Sequence, residues 1–121
     1  PGKHRVERYT AEGELLDHIG RFGGPDPKGF SGCCNPTNVA VDEQGRVYVT
    51  EKTGPRAKVL DSDGNMIAII ATDVFDPNSK NMDVAVDSRG RVFVADTVQL
   101  QIHIFAVKGE SSLRQGSGSR A

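Results

Sequence analysis

One segment of this chain occurs twice. Val39-Ala40-Val41-Asp42 leads to Gly45-Arg46-Val47-Tyr48-Val49 and then Glu51. Val84-Ala85-Val86-Asp87 leads, in the same spacing, to Gly90-Arg91-Val92-Phe93-Val94 and then Asp96. The first copy opens at Val39 and the second at Val84, a constant offset of 45 residues. Self-similarity at such a period restricts the fold to an array of like units, each of which buries its apolar face only by stacking on a neighbour. The match continues downstream. Arg56-Ala57-Lys58-Val59-Leu60-Asp61 runs to Gly64, and Gln101-Ile102-His103-Ile104-Phe105-Ala106 runs to Gly109. A third copy of this later part, Arg5-Val6-Glu7-Arg8-Tyr9-Thr10 running to Gly13, stands 51 residues before Gly64. The six residues of extra spacing fall within 21–38.

Each unit divides into short strands. Val39-Ala40-Val41 is an apolar run ended by Asp42-Glu43-Gln44-Gly45. Val47-Tyr48-Val49-Thr50 is β-branched and aromatic, a composition that suits a pleated, half-buried surface. The third strand contains Val59-Leu60 and closes at Asp61-Ser62-Asp63-Gly64, where glycine supplies a positive φ. Met66-Ile67-Ala68-Ile69-Ile70-Ala71 is the fourth. Short polar links join first to second and third to fourth strand, so both pairs are expected to be hairpins. A helical reading fails because the runs are short and glycine interrupts them. The chain therefore reads as a partial unit at 5–20, a complete four-stranded unit at 38–72 and a three-stranded unit at 82–107. Together they form a blade region over 1–109. Residues 110–121 are rich in Gly, Ser and Arg and read as a flexible tail.

Composition narrows the partners. A net charge of −1 leaves no basic footprint for nucleic acid, and Arg5, Arg8, Arg21 and Lys28 are dispersed, so nucleic acid is not an expected partner. No apolar run approaches the length of a membrane helix, so no membrane partner is expected. The opening residues lack a basic-then-apolar export pattern. The absence of Trp and a hydrophobic content of 36% allow only a modest core concentrated in the strands.

Several of these residues carry a family resemblance. Gly20-Arg21-Phe22-Gly23, Gly29-Phe30, Asn35-Pro36-Thr37-Asn38, Val39-Ala40-Val41-Asp42, Gly45, Val47-Tyr48-Val49, Arg56, Lys58-Val59-Leu60 and Gly64 together resemble an NHL repeat. The stretch from Asp83 through Phe105 resembles a second one, and the likeness covers about residues 5–109. Where the family commonly ends its loop between second and third strands in Asn-His-Arg, this chain has Thr53-Gly54-Pro55-Arg56 and Val98-Gln99-Leu100-Gln101. The resemblance implies an all-β fold of NHL-type β-propeller blades, each a four-stranded antiparallel meander. It also implies a menu of uses: protein scaffolds, RNA binding in some members, and metal-dependent lyases or hydrolases in a few.

Propellers close with about 4–8 blades. This chain supplies one full blade and two partial ones, an incomplete ring with open apolar faces. The expectation is that the chain is the C-terminal portion of a larger propeller, with the missing blades on another segment or a companion propeller chain, or that several copies close a ring. Three copies giving roughly two blades each would make six, and a stable open monomer is the remaining reading. In such a ring the strand Leu15–Ile19 is available as the missing fourth strand of a neighbour. The functional reading is a non-enzymatic binding or scaffolding module, with no cofactor and no metal site. The alternative is part of a metal-dependent lyase or hydrolase with its site at the centre of the completed ring.

Strand order places residues 21–38, 51–55, 73–81 and 96–100 on one long-loop face, where a protein or small ligand is expected to bind. The candidate binding residues there are Cys33, Cys34, Asn35, Glu51, Lys52, Arg56 and Asp96. The adjacent cysteines admit three readings: soft-metal ligation, a vicinal disulfide, or thiols packed beneath the loop, the last being favoured. Glu51 and Asp96 end matching second strands. They read either as an acidic ring or, preferably, as acceptors of backbone and Ser/Thr hydrogen bonds that pin the following loop. Asp42 and Asp87 read as caps of hairpin turns. His4, His18 and His103 share no metal-ligand spacing, and His103 points to the opposite side of its strand from Ile102 and Ile104.

Overall fold

The computed structural model describes residues 4–23, 26, 28–30, 35–52 and 54–106. The expected tail at 110–121 lies outside the described residues. Nine strands run in chain order: β1 (Val6–Tyr9), β2 (Leu15–Ile19), β3 (Asn38–Val41), β4 (Val47–Glu51), β5 (Arg56–Leu60), β6 (Met66–Ala71), β7 (Val84–Val86), β8 (Val92–Asp96) and β9 (Gln101–Phe105). The described residues form no helix. They make three separate antiparallel meanders, β1-β2, β3-β4-β5-β6 and β7-β8-β9, with no closed barrel. The protein is all-β, and its architecture is consistent with incomplete propeller blades. In this chain Leu15–Ile19 pairs with β1, with Ile19 opposite Val6 and His18 opposite Glu7.

One turn chemistry recurs three times. Asp42, Asp61 and Asp87 each accept, through Oδ1, the amides two and four residues on, at 2.8–2.9 Å. Their carbonyls accept the amides of Gly45, Gly64 and Gly90 at 3.0–3.1 Å. Each of those glycines has φ between 82° and 92°, a region open to glycine at little cost. The aspartate caps expected at Asp42 and Asp87 are therefore present, with Arg46 and Arg91 also donating from Nε to Oδ2 at 2.6 Å.

The two inner strands of the central meander are covered on both faces, so β4 is buried at every position. Side chains alternate along a strand, and the alternation assigns the two faces. Val47, Val49 and Leu60 meet Ile19 and Phe30, with Val6 and Met66 at the margin. Tyr48, Ala57 and Val59 meet Phe75, Met82, Val92 and Val94, with Val84, Val86 and Phe105 packed alongside. Each fully buried Val, Leu or Phe contributes roughly 1.5–3 kcal/mol, so these two seams hold the meanders together. Phe30 reaches its seam because its backbone is bonded back to Arg21 and Gly23. Gly23 N–H donates to the Phe30 carbonyl (2.8 Å), and Phe30 N–H donates to the Arg21 carbonyl (2.7 Å). That closure requires glycine, since a Cβ on Gly29 would lie 2.6 Å from the Gly23 Cα.

The seam between the second and third meanders is also tied by polar groups. The Met82 carbonyl, at the entry to the third meander, accepts from Asn38 Nδ2 (2.9 Å) and Thr50 Oγ1 (2.7 Å) of the second. His103 lies at this seam, edge-on to Phe75 with ring centroids 5.2 Å apart. This agrees with its predicted orientation away from Ile102 and Ile104.

Candidate functional site

The expected site residues fall into two corners, each at the end of a second strand. In the first, Asn35 is buried and its Oδ1 accepts the Lys52 amide at 2.8 Å, joining the loop before β3 to the turn after β4. Glu51 is fully buried beside it. Its Oε1 accepts Arg56 Nε at 2.5 Å and lies 3.3 Å from Lys58 Nζ. Lys58 is itself fully buried, donates to the Gly29 carbonyl at 2.6 Å, and sits 4.4 Å from the centroid of the Phe30 ring. Burial pushes the Lys58 ammonium below its ordinary pKa, opposed by the neighbouring Glu51 charge. Among the described residues, Glu51 Oε2 is buried without a hydrogen-bond partner. Cys33 and Cys34 lie outside the described residues.

The second corner is built on Asp96, also buried. Its Oδ2 accepts the Asp76 amide at 2.9 Å. Its Oδ1 accepts Ser79 Oγ at 2.5 Å and the amides of Val98 (3.1 Å) and Gln99 (3.0 Å). Burial alone would push the carboxyl up, but the donors from Gln99, Ser79, Asp76 and Val98 outweigh it and hold the pKa at about 2. Asp96 thus pins the turn after β8, as expected, and also the loop entering the third meander. The matching expectation for Glu51 is corrected. Glu51 takes charged donors from Arg56 and Lys58, because alternation sets it on the same face of the meander as Val47, Val49 and Lys58.

Sequence reasoning missed Lys58, Phe30 and Ser79. The available signal for Lys58 was its alternation. In a strand flanked by apolar Ala57 and Val59 and covered on both faces, the intervening lysine is also enclosed and needs a carboxylate. Both corners spend their polar groups on holding loops. Lys52, half-buried, and the guanidinium of Arg56 lie at the outer side of the first corner. On the opposite, hairpin face, Val41, Asp42, Glu43, Val86, Asp87 and Ser88 line an open groove of about 250 Å³. Its aspartates are already bound by Arg46 and Arg91. Among the described residues no three His, Cys, Asp or Glu side chains gather as a metal-binding group.

The fold and these corners define an all-β chain of stacked meanders whose buried polar residues serve as loop anchors. No family model matches the chain. Over 62 residues it is 31% identical to Protein lin-41 of Caenorhabditis elegans, an NHL-repeat protein. The matched stretch is 51% of this chain and 5% of that protein, so this chain corresponds to a small part of the worm protein's length.

Proposed function

We propose that this chain is a non-enzymatic binding or scaffolding module of NHL-type propeller blades, completed by self-association or by a companion chain. One internal comparison carries the proposal. On the second meander, Ala57 and Val59 are 0% and 7% exposed because the third meander covers them. Their counterparts 45 residues on, Ile102 and Ile104, are 66% and 43% exposed. The repeat thus presents a second copy of its own stacking face, larger in side chain and uncovered. Exposed apolar patches of this kind mark sites of protein contact. The long-loop side, with Lys52 and Arg56 beside the Asn35–Glu51 corner, is the place for a protein or small ligand. The NHL pattern in the residues and the likeness to Protein lin-41 support the repeat type.

The test is the mass of the intact chain across a concentration series, by native mass spectrometry and sedimentation. A species of two or more copies, lost on Ile102→Asp, is the expected result for self-association. If the chain is a single copy at every concentration, capture of a companion propeller chain that Ile102→Asp abolishes is expected instead. A single copy with no such partner overturns the proposal.

A further inference from the structure

β6 is the outermost strand of the complete meander, and its outer edge has no strand against it among the described residues. As the fourth strand of four, it keeps that edge on the rim however many blades make up a ring. Its surface differs from that of β2, its repeat counterpart. At the offset of 51 residues, Leu15-Leu16-Asp17-His18-Ile19 corresponds to Met66-Ile67-Ala68-Ile69-Ile70. Asp17 is bonded by Arg8 across its strand pair, at 2.7 and 2.8 Å. Where β2 has Asp17 and His18, β6 has alanine and isoleucine. Ile67 and Ile69 are 52% and 41% exposed, and Ala68 between them is exposed as well.

Edge strands are protected from foreign pairing by charge, by proline or by bulges. β2 uses charge. β6 has six residues with neither a charge nor a proline. Its protection is a pair of bulges, at Ile67 and Ile70, which have no partner of their own on β5. Between them Ala68 and Ile69 stay in regular register with Val59 and Lys58. The open edge is therefore short, long enough for an extended segment of a few residues but not for a whole sheet.

The charges at its two ends select the occupant. Asp61 and Asp63 stand before β6 and Asp73 after it, and Asp63 and Asp73 are exposed. Arg8, which feels the Asp63 charge, is bonded to Asp17, and Arg56 beside the far end is bonded to Glu51. Antiparallel pairing of β6 with its copy in a second molecule would bring an Asp63 near an Asp73 at each end, like charge against like. A segment with basic flanks meets a carboxylate at both ends.

We infer that the rim of the complete meander docks a short extended segment of another polypeptide, apolar at alternate positions and flanked by Lys or Arg, as a fifth strand antiparallel to β6. Main-chain hydrogen bonds to the open edge provide affinity, and contact with Ile67 and Ile69 provides register. This surface is on a different strand from the stacking face of Ile102 and goes beyond the module reading.

The probe is the synthetic peptide KKVTVTVKK, added in excess to the full chain at low salt. Amide exchange at the outward-pointing positions of Ile67–Ile70 is expected to slow at least tenfold, with the methyl resonances of Ile67 and Ile69 shifted. The acidic peptide EEVTVTVEE is expected to bind at least tenfold more weakly, as is the basic peptide N-methylated along its pairing edge. Ile69→Lys, which returns a charge to the rim, is expected to weaken binding at least tenfold, and Ile102→Asp to leave it within twofold. Ile69 is substantially exposed, so lysine is tolerated by the fold, and the N-methylated peptide gives a second reading on the unaltered chain. Unchanged exchange in β6, protection confined to β9, or undiminished binding of the N-methylated peptide overturns the inference. Equal binding of the acidic peptide overturns the basic partner. Association of the chain that Ile69→Lys abolishes and Ile102→Asp does not assigns the edge to a second copy and also overturns it. Self-association through Ile102 with no peptide on β6 ends this inference and leaves the module reading standing; peptide on β6 of a chain that stays single and captures no companion does the reverse.

Discussion

Glu51 and Asp96 end the second strands of two meanders that share one register, yet they anchor their corners by different chemistry. Asp96 gathers four neutral donors, three backbone amides and the Ser79 hydroxyl, around a short side chain. Glu51 reaches into the seam with the first meander and meets two cations, Arg56 and Lys58. The neutral arrangement uses both carboxylate oxygens, whereas the ionic one leaves Oε2 without a partner among the described residues. A repeat therefore fixes where an anchor stands but not how it is satisfied. The residue at the middle of the third strand, on the same face as the anchor, decides that. At the position of Lys58 the third meander carries His103, 3.9 Å from Asp96 Oδ2.

This contrast is open to direct attack. The largest effect is expected for Glu51→Ala, which leaves Lys58 buried without its counter-charge and costs about 3–5 kcal/mol in denaturant unfolding. Adding Lys58→Met should restore most of that loss, since an apolar side chain needs no carboxylate. A loss below about 1 kcal/mol for the single variant would mean that the Gly29 carbonyl and the Phe30 ring suffice for Lys58.

Asp96→Ala should come next, at about 3 kcal/mol, because several buried donors lose their acceptor at once. Proteolysis should then cut first within residues 73–81 and 96–100, the two segments that Asp96 holds. Cutting elsewhere first would show that the carboxylate is not their anchor.

Acid separates the corners further. The Asp96 carboxyl is lowered from 3.8 to about 2, so its contribution is complete above about pH 4 and is lost as pH falls toward 2. An acid titration of stability should show this decline in the unaltered chain and less of it in Asp96→Asn. Equal slopes would refute the assignment.

The smallest effect contrasts the hairpin ends. Tyr48 donates its hydroxyl to Asp42 Oδ2 at 2.8 Å, while Phe93 at the matching place has no hydroxyl and lies beneath the Arg91 guanidinium. Tyr48→Phe should cost about 1 kcal/mol. An unchanged midpoint would show that Arg46 alone satisfies Asp42.

Much of the fold was legible before any tertiary information. The strands Leu15–Ile19 and Met66–Ala71 have their expected bounds, because turn glycines and aspartates flank them closely. β4 ends at Glu51, where the side-chain pair with Arg56 continues the cross-strand register. The hairpin caps were readable because an aspartate three residues before a glycine closes its turn with local bonds alone. The polar corners were less so. Asn35, Lys52 and Arg56 were singled out as a loop cluster, and the chain does bring Asn35 to Lys52 and Arg56 to Glu51. Alternation sets Glu51 and Lys58 on one face, but that the two are enclosed depends on which face of the central meander meets Phe30.

The sequence by itself determined the repeat, the strands, their turns and the alternation of their side chains, since all of these follow from contacts between residues a few positions apart. The tertiary structure decided which alternating face met which neighbour. It thereby decided that Lys58 and Glu51 are enclosed together, that Val84 and Val86 are covered, and that Val39, Val41, Ile102 and Ile104 are not. The reason is physical: burial belongs to the space between meanders, and each meander carries only half of the surface that fills it.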